Sequence, residues 1–159
     1  MNESGEHVIK DNTFFIINTM SHWILLTNFN CEPNTWHLYD SLFSESYLKS
    51  MKYILKTFSE INKEIDFFII LHRDVQRQKG PNDCGLFVLA FLFALCEGKN
   101  PSLINFKQSE MRKHYTDCIE NGKFSDFPST EMGNHKIIDT TYIFDCKNSK
   151  ITDNSKKYK

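Results

Sequence analysis

The sequence predicts an α+β domain, and three observations carry that reading. Strand-like runs rich in β-branched and aromatic residues gather near the start of the chain, at 13–20, 22–29 and 35–41. One amphipathic helical stretch then separates them from a single further apolar run at 66–71. After a polar loop, the rest of the chain to residue 121 reads as two helices, so the pattern is segregated rather than a regular alternation of strand and helix.

Each element has its own signal. TFFIINTM (13–20) and HWILLTNF (22–29) are separated only by Ser21, and the stretch from Asn30 to Thr35, with a proline and two asparagines, reads as a hairpin-like turn. TWHLYDS (35–41) alternates apolar and polar residues. In the following stretch Tyr47, Leu48, Met51, Ile54, Leu55 and Phe58 recur at helical spacing, with Ser44 placed to cap the first turn. DFFIIL (66–71) is a continuous apolar run and is expected to be a strand buried on both faces. The run from Cys84 to Cys96 is apolar on almost every face, which predicts a central helix. Residues 109–121 form a polar, exposed helix stopped by Gly122. The organisation expected is a core over 1–128 and a polar tail over 129–159, partly disordered, with a short strand over 135–144.

Composition narrows the function. A chain of 159 residues suits one domain with a sizeable core. A formal net charge of −1 with no basic block gives no electrostatic case for nucleic acid or a membrane surface. The longest apolar run, 86–96, is too short to span a bilayer. MNESGEHVIK lacks the basic-then-apolar pattern of a secretion signal. The five cysteines are odd in number and widely spread, which argues for a reducing compartment, so an intracellular location in cytoplasm or nucleus is expected. No histidine and cysteine spacing suits zinc, and no metal or other cofactor is expected.

Cys84 stands out. It follows a Gly80-Pro81 turn, with Asp83 before it and Gly85 after it, at the start of the apolar helix. A thiol attacks as thiolate, and a free cysteine with a pKa of roughly 8.5 is mostly protonated at neutral pH. Asp83 as helix cap would place the sulfur in the first turn, where backbone N–H groups and the helix dipole favour negative charge. Gly85 lets a substrate main chain come close. A nucleophilic thiol needs a base and an acceptor that orients it. If 22–29 and 35–41 pair as an antiparallel hairpin, His22 at the start of one run neighbours Asp40 at the end of the other. Among the other histidines, His37 reads as an exposed cross-strand residue and His72 as the start of a loop. For an oxyanion donor, Gln78, six residues before Cys84, competes with Gln76 on the same loop.

Together, His22-Trp23, Tyr39-Asp40-Ser41 and Gln78 followed by Asp83-Cys84-Gly85 and an apolar helix resemble the ubiquitin-like-protein proteases. These are the SUMO- and NEDD8-specific cysteine proteases, relatives of the adenovirus protease. The resemblance spans roughly residues 13–121. It implies a papain-like or adenain-like core, with a central mixed sheet packed against the helix that starts at the cysteine. By the same resemblance Cys84 is the nucleophile, His22 the general base and acid, Asp40 its orienter and Gln78 the oxyanion donor. Trp23 then lines a narrow tunnel over a Gly-Gly substrate tail. The implied reaction is hydrolysis, through an acyl-enzyme, of a peptide or isopeptide bond after such a tail of a ubiquitin-like protein, or at a polyprotein junction. The expected partners are a ubiquitin-like protein or its conjugates, and the expected state is a monomer. Fuller members of the family carry a segment ahead of the first of these strands, so a core shortened at its N-terminus is expected. The competing expectation is an inactive domain that keeps the fold and binds a ubiquitin-like partner.

Overall fold

A computed structural model of the chain describes residues 11–154. Strands β1 (Phe14–Asn18), β2 (Trp23–Thr27) and β3 (Thr35–Tyr39) form an antiparallel meander. Helix α1 (Glu45–Ile61) then crosses to β4 (Phe67–His72), which runs parallel to β3. This single crossover makes the sheet mixed. Helix α2 (Cys84–Cys96) follows, then a 3₁₀ turn at Pro101–Leu103 and the short strand β5 (Ile104–Phe106). Helix α3 (Gln108–Asn121), β6 (Ser129–Glu131), β7 (Thr140–Asp145) and β8 (Lys150–Asp153) complete the described chain. The main sheet has the order β1-β2-β3-β4-β7-β8, and β5 pairs with β6 apart from it.

Both faces of that sheet are covered, which accounts for the apolar content of β2. Ile24 and Leu26 point to one face, where Leu48, Met51, Leu55 and Phe58 of α1 pack with Trp36, Leu38 and Phe68. Leu25 points to the other, against Phe87 and Phe91 of α2 with Tyr39 and Phe106. The register Leu26↔Leu38 and Leu25↔Tyr39 keeps each alternating pair on its own face. Helix α2 has no polar stripe because the sheet, β5 and α3 all lie against it, and Phe87, Val88, Ala90 and Phe91 are almost fully buried. Ser44 caps α1 in an extended conformation (φ −142°, ψ 150°), its hydroxyl accepting from the Ser46 N–H at 3.2 Å. Gly122 ends α3 in the left-handed region at φ 63°, where a side chain would be strained.

Three expectations are corrected. β4 is not buried on both faces: Phe68 and Ile70 are core, while Phe67 is 48% exposed. It lies between β3 and β7, yet α2 leaves part of its second face open. Second, the strand expected over 135–144 is found as β7, but the segment around it does not trail off as a polar tail: it also contributes β6 and β8, as far as residue 153; residues 155–159 lie outside the described residues. Tyr142 and Phe144 of β7 alternate into the α1-side core, and that long-range pairing onto β4 is invisible to local composition. β8 is largely polar because it is an edge strand, where Lys150 and Thr152 face solvent while Ile151 packs against the core. Third, His37 is half-buried rather than exposed, set edge-on to Tyr39 with ring centroids 6.3 Å apart.

His37 yields a pH prediction. Burial, helped by the positive charge of Arg73 and opposed by Asp139, pushes its pKa down to about 4. The unfolded chain takes up this proton below about pH 6.5 whereas the folded chain refuses it until about pH 4. Stability is therefore full above pH 6.5 and falls as the pH drops through that window. Burial lowers His72 as well, so it acts with the same sign. Thermal melts at pH 7 and pH 4.5 should show a smaller loss of Tm for His37→Gln than for the wild type.

Candidate active site

The site lies where the N-terminal end of β2 meets the N-terminal end of α2. His22 is the last residue before β2 and is 2% exposed. The Thr19–Ser21 turn fixes it, since the His22 carbonyl accepts from the Thr19 N–H at 2.7 Å and from the Thr19 hydroxyl at 3.1 Å. Asp40 follows β3 and is 3% exposed. The antiparallel register of β2 and β3 brings the two together, with His22 Nε2 2.6 Å from Asp40 Oδ1. The same oxygen accepts the Leu42 N–H at 2.8 Å, which locks the carboxylate in place. A buried acceptor on Nε2 gives the imidazole one defined orientation.

Cys84 is the first residue of α2 and 6% exposed. It borders a cleft of about 550 Å³ whose walls include Trp23, Ser21, Gly85, Leu89, Arg112 and Tyr115. Ser21 and Trp23 flank His22 in sequence, so the histidine-bearing turn and the cysteine-bearing helix end share this cleft. Trp23 is 41% exposed, and a β-carbon placed on Gly85 would stand 3.7 Å from its Cδ1. The indole thus lies directly beside the residue after the thiol.

The two loop glutamines separate cleanly. Gln76 is bracketed by a backbone segment 30 residues away: its Nε2 donates to the Phe106 carbonyl at 3.0 Å and its Oε1 accepts from the Phe106 N–H at 2.5 Å. It ties the loop to β5. Gln78 is buried and bound to the residue after Asp40, its backbone N–H donating to the Ser41 carbonyl at 2.8 Å and its Oε1 accepting from the Ser41 hydroxyl at 2.6 Å. Its Nε2 donates to the Gly80 carbonyl at 2.7 Å. The hydroxyl donor on one side and the carbonyl acceptor on the other fix which end is oxygen and which is nitrogen. An amide nitrogen carries two hydrogens, so one remains to be donated.

Asp83 occupies the cap position of α2 but does not cap it through its side chain. Its carboxylate instead accepts from Arg112 at 2.6 Å and from Gln108 Nε2 at 2.7 Å. Sequence reasoning overlooked Ser41, Gln108 and Arg112 as site residues. Ser41 carried a signal in the Tyr39-Asp40-Ser41 motif. The other two lie on a polar helix whose contact with the loop is set by tertiary packing, and nothing local marks them. No group of three or more histidines, cysteines or acids that could hold a metal occurs among the described residues, and no helix there is long and apolar enough to cross a membrane.

A mixed central sheet flanked by helices, one of them starting at Cys84, is the architecture of the papain-like class of α+β folds. The family model described as "Ulp1 protease family, C-terminal catalytic domain" matches residues 6–123, nearly three quarters of the sequence. The chain belongs to this family and is a cysteine-type peptidase. No individual curated protein matches it.

Proposed function

We propose that the chain hydrolyses the peptide or isopeptide bond that follows a Gly-Gly tail of a ubiquitin-like protein, or a polyprotein junction of similar sequence, with Cys84, His22, Asp40 and Gln78 as its chemical residues. The observation that carries this reading is the 2.6 Å His22–Asp40 pair, buried behind a cleft at which Cys84 begins a helix. The Cys84 sulfur attacks the scissile carbonyl as its proton passes to His22. The carbonyl oxygen takes negative charge and is met by the Cys84 backbone N–H and the remaining Gln78 Nε2 hydrogen. His22 returns the proton to the departing amine, the C–N bond breaks, and an acyl-enzyme remains. His22 then takes a proton from water, whose oxygen attacks the thioester, and returns it to the sulfur as the acid leaves. Trp23, which walls the cleft together with Cys84 and Gly85, lies over the Gly-Gly tail of the substrate in this reading. The substrates are intracellular ubiquitin-like proteins or their conjugates, in cytoplasm or nucleus, and the enzyme acts as a monomer.

A panel of ubiquitin-like proteins ending in Gly-Gly and an electrophile tests the assignment. A covalent adduct mapped to Cys84 is the expected result. Binding without an adduct across the panel would favour the inactive, partner-binding domain instead. Gln78→Ala should lower kcat by about 10²–10³-fold with little change in KM, the usual loss for one side-chain oxyanion donor. Gln76→Ala should lower Tm by freeing the loop from Phe106 and leave kcat within a few-fold of wild type, far short of the Gln78 loss of about 10²–10³-fold. Steady-state cleavage of a Gly-Gly fluorogenic substrate and thermal melts of both variants decide between the two glutamines.

A further inference from the structure

We propose that Arg112 and Gln108 are positioning residues that hold the Asp83 carboxylate away from the amides at the start of α2, which keeps those amides open for the charge that develops at Cys84. The inference rests on the assignment of Cys84 as nucleophile. An aspartate at a helix cap ordinarily accepts a hydrogen bond from the second or third helical N–H. Ser44 and Asn100 do so in this chain, accepting from Ser46 and Ser102. Asp83 does not: its backbone lies at φ −113°, ψ 8°, with the preceding Asn82 carbonyl bonded to Arg112, so capping requires the release of this peptide as well as of the carboxylate.

Its two oxygens are held elsewhere, Oδ1 by Arg112 at 2.6 Å and Oδ2 by Gln108 Nε2 at 2.7 Å. Gln108 is itself clamped to the loop, exchanging two 2.8 Å bonds with the backbone of Lys79, and Arg112 also donates to the Asn82 carbonyl at 3.3 Å. The first turn of α2 contains no acidic residue of its own, and Asp83 at the cap position is the carboxylate adjacent to its amides. A carboxylate swung onto the Gly85 and Leu86 amides would take their N–H groups away from the negative charge at Cys84 and set a second negative charge beside it. The Arg112 guanidinium removes both obstacles at once, drawing the carboxylate aside and neutralising it.

The test is a cycle of Arg112→Met, Asp83→Ala and the double variant, read by kcat and KM on a Gly-Gly substrate and by hydrogen exchange at the Gly85 and Leu86 amides. Arg112→Met should lower kcat by about 2–30-fold, the factor set by the usual worth of a helix cap that must now be broken for those amides to face the charge at Cys84. It should also slow exchange at Gly85 and Leu86. Because Arg112 borders the cleft, any lost substrate contact appears separately in KM. The decisive expectation is a reversal of sign: added to the Arg112→Met variant, Asp83→Ala raises kcat and restores fast exchange, although it gains nothing in the wild type. Losses that simply multiply, or an Arg112→Met variant with unchanged kcat and unchanged amide exchange, overturn the proposal. If no Gly-Gly substrate or probe reacts at Cys84 but exchange still slows only when Asp83 is present, the positioning stands and the catalytic assignment of Cys84 falls.

Discussion

Replacing Cys84 by alanine is expected to abolish turnover, by about 10⁶-fold, the loss seen when a nucleophile that works as a unit with its base is removed. The fold should survive. Cys84 opens α2 rather than sitting in its middle, alanine is the best helix former, and the change removes a single heavy atom from a residue that borders the cleft. Tm should therefore change little, and the variant should still bind a Gly-Gly-tailed ubiquitin-like protein with nearly the wild-type Kd. Mass spectrometry of the wild type with an electrophilic tail should place the adduct on the peptide containing Cys84. Residual activity above about 10⁻³ of wild type would move the nucleophile to another thiol.

The rival thiols are poorly placed for that role on physical grounds. Cys118 does have an imidazole partner, with His114 Nε2 3.4 Å from its sulfur. That nitrogen also lies 3.0 Å from the Ser125 carbonyl, which can only accept, so the nitrogen already carries its proton and cannot take the thiol's. Cys118 is also buried near the C-terminal end of α3 and is not among the residues that line the cleft. Cys31 and Cys146 are pushed up, chiefly by burial. Cys96 is exposed at the far end of α2, at the negative pole of the helix that begins with Cys84.

What can be read from the sequence follows the range of the interactions involved. The His22–Asp40 pairing is legible because two strand-like runs joined by a short turn pair as an antiparallel hairpin, which sets the start of the first beside the end of the second. The start of α2 is legible from Gly80-Pro81 followed by an unbroken apolar run. The choice between Gln76 and Gln78 is not, since both lie on one loop and differ only in whether the amide finds Phe106 or Ser41. Asp83 misleads for the same reason. Its local preference is to cap, and the partners that override it arrive from a helix 25 to 29 residues on. Cys96 belongs to the apolar run in sequence yet is exposed, because the run ends where α2 leaves the core. Strand β7 is half visible as an apolar alternation, but a polar edge strand such as β8 carries no signal until a sheet is there to receive it.

Asp40→Asn should lower kcat by about 10²–10⁴-fold, or roughly 2.7–5.5 kcal/mol, with KM nearly unchanged. The geometry makes this substitution unusually clean. Asp40 uses one oxygen, Oδ1, for both the His22 imidazole and the Leu42 N–H, while Oδ2 is buried without a hydrogen-bond partner. An asparagine with its carbonyl oxygen in the Oδ1 place keeps both bonds and hence the ring orientation. What it removes is the charge. When Cys84 gives its proton to His22, the imidazolium forms in a site 2% exposed, where little water reaches it and the Asp40 carboxylate is the adjacent counter-charge. Asp40→Ala removes the charge and also leaves the Leu42 N–H and the imidazole without their acceptor, so it should be slower still and lower Tm as well. The gap in kcat between the two variants then measures orientation, and the gap between wild type and Asp40→Asn measures charge. Equal activity of wild type and Asp40→Asn, with Asp40→Ala crippled, would show that His22 needs only an acceptor at this position. Full activity in both would place the partner of His22 elsewhere.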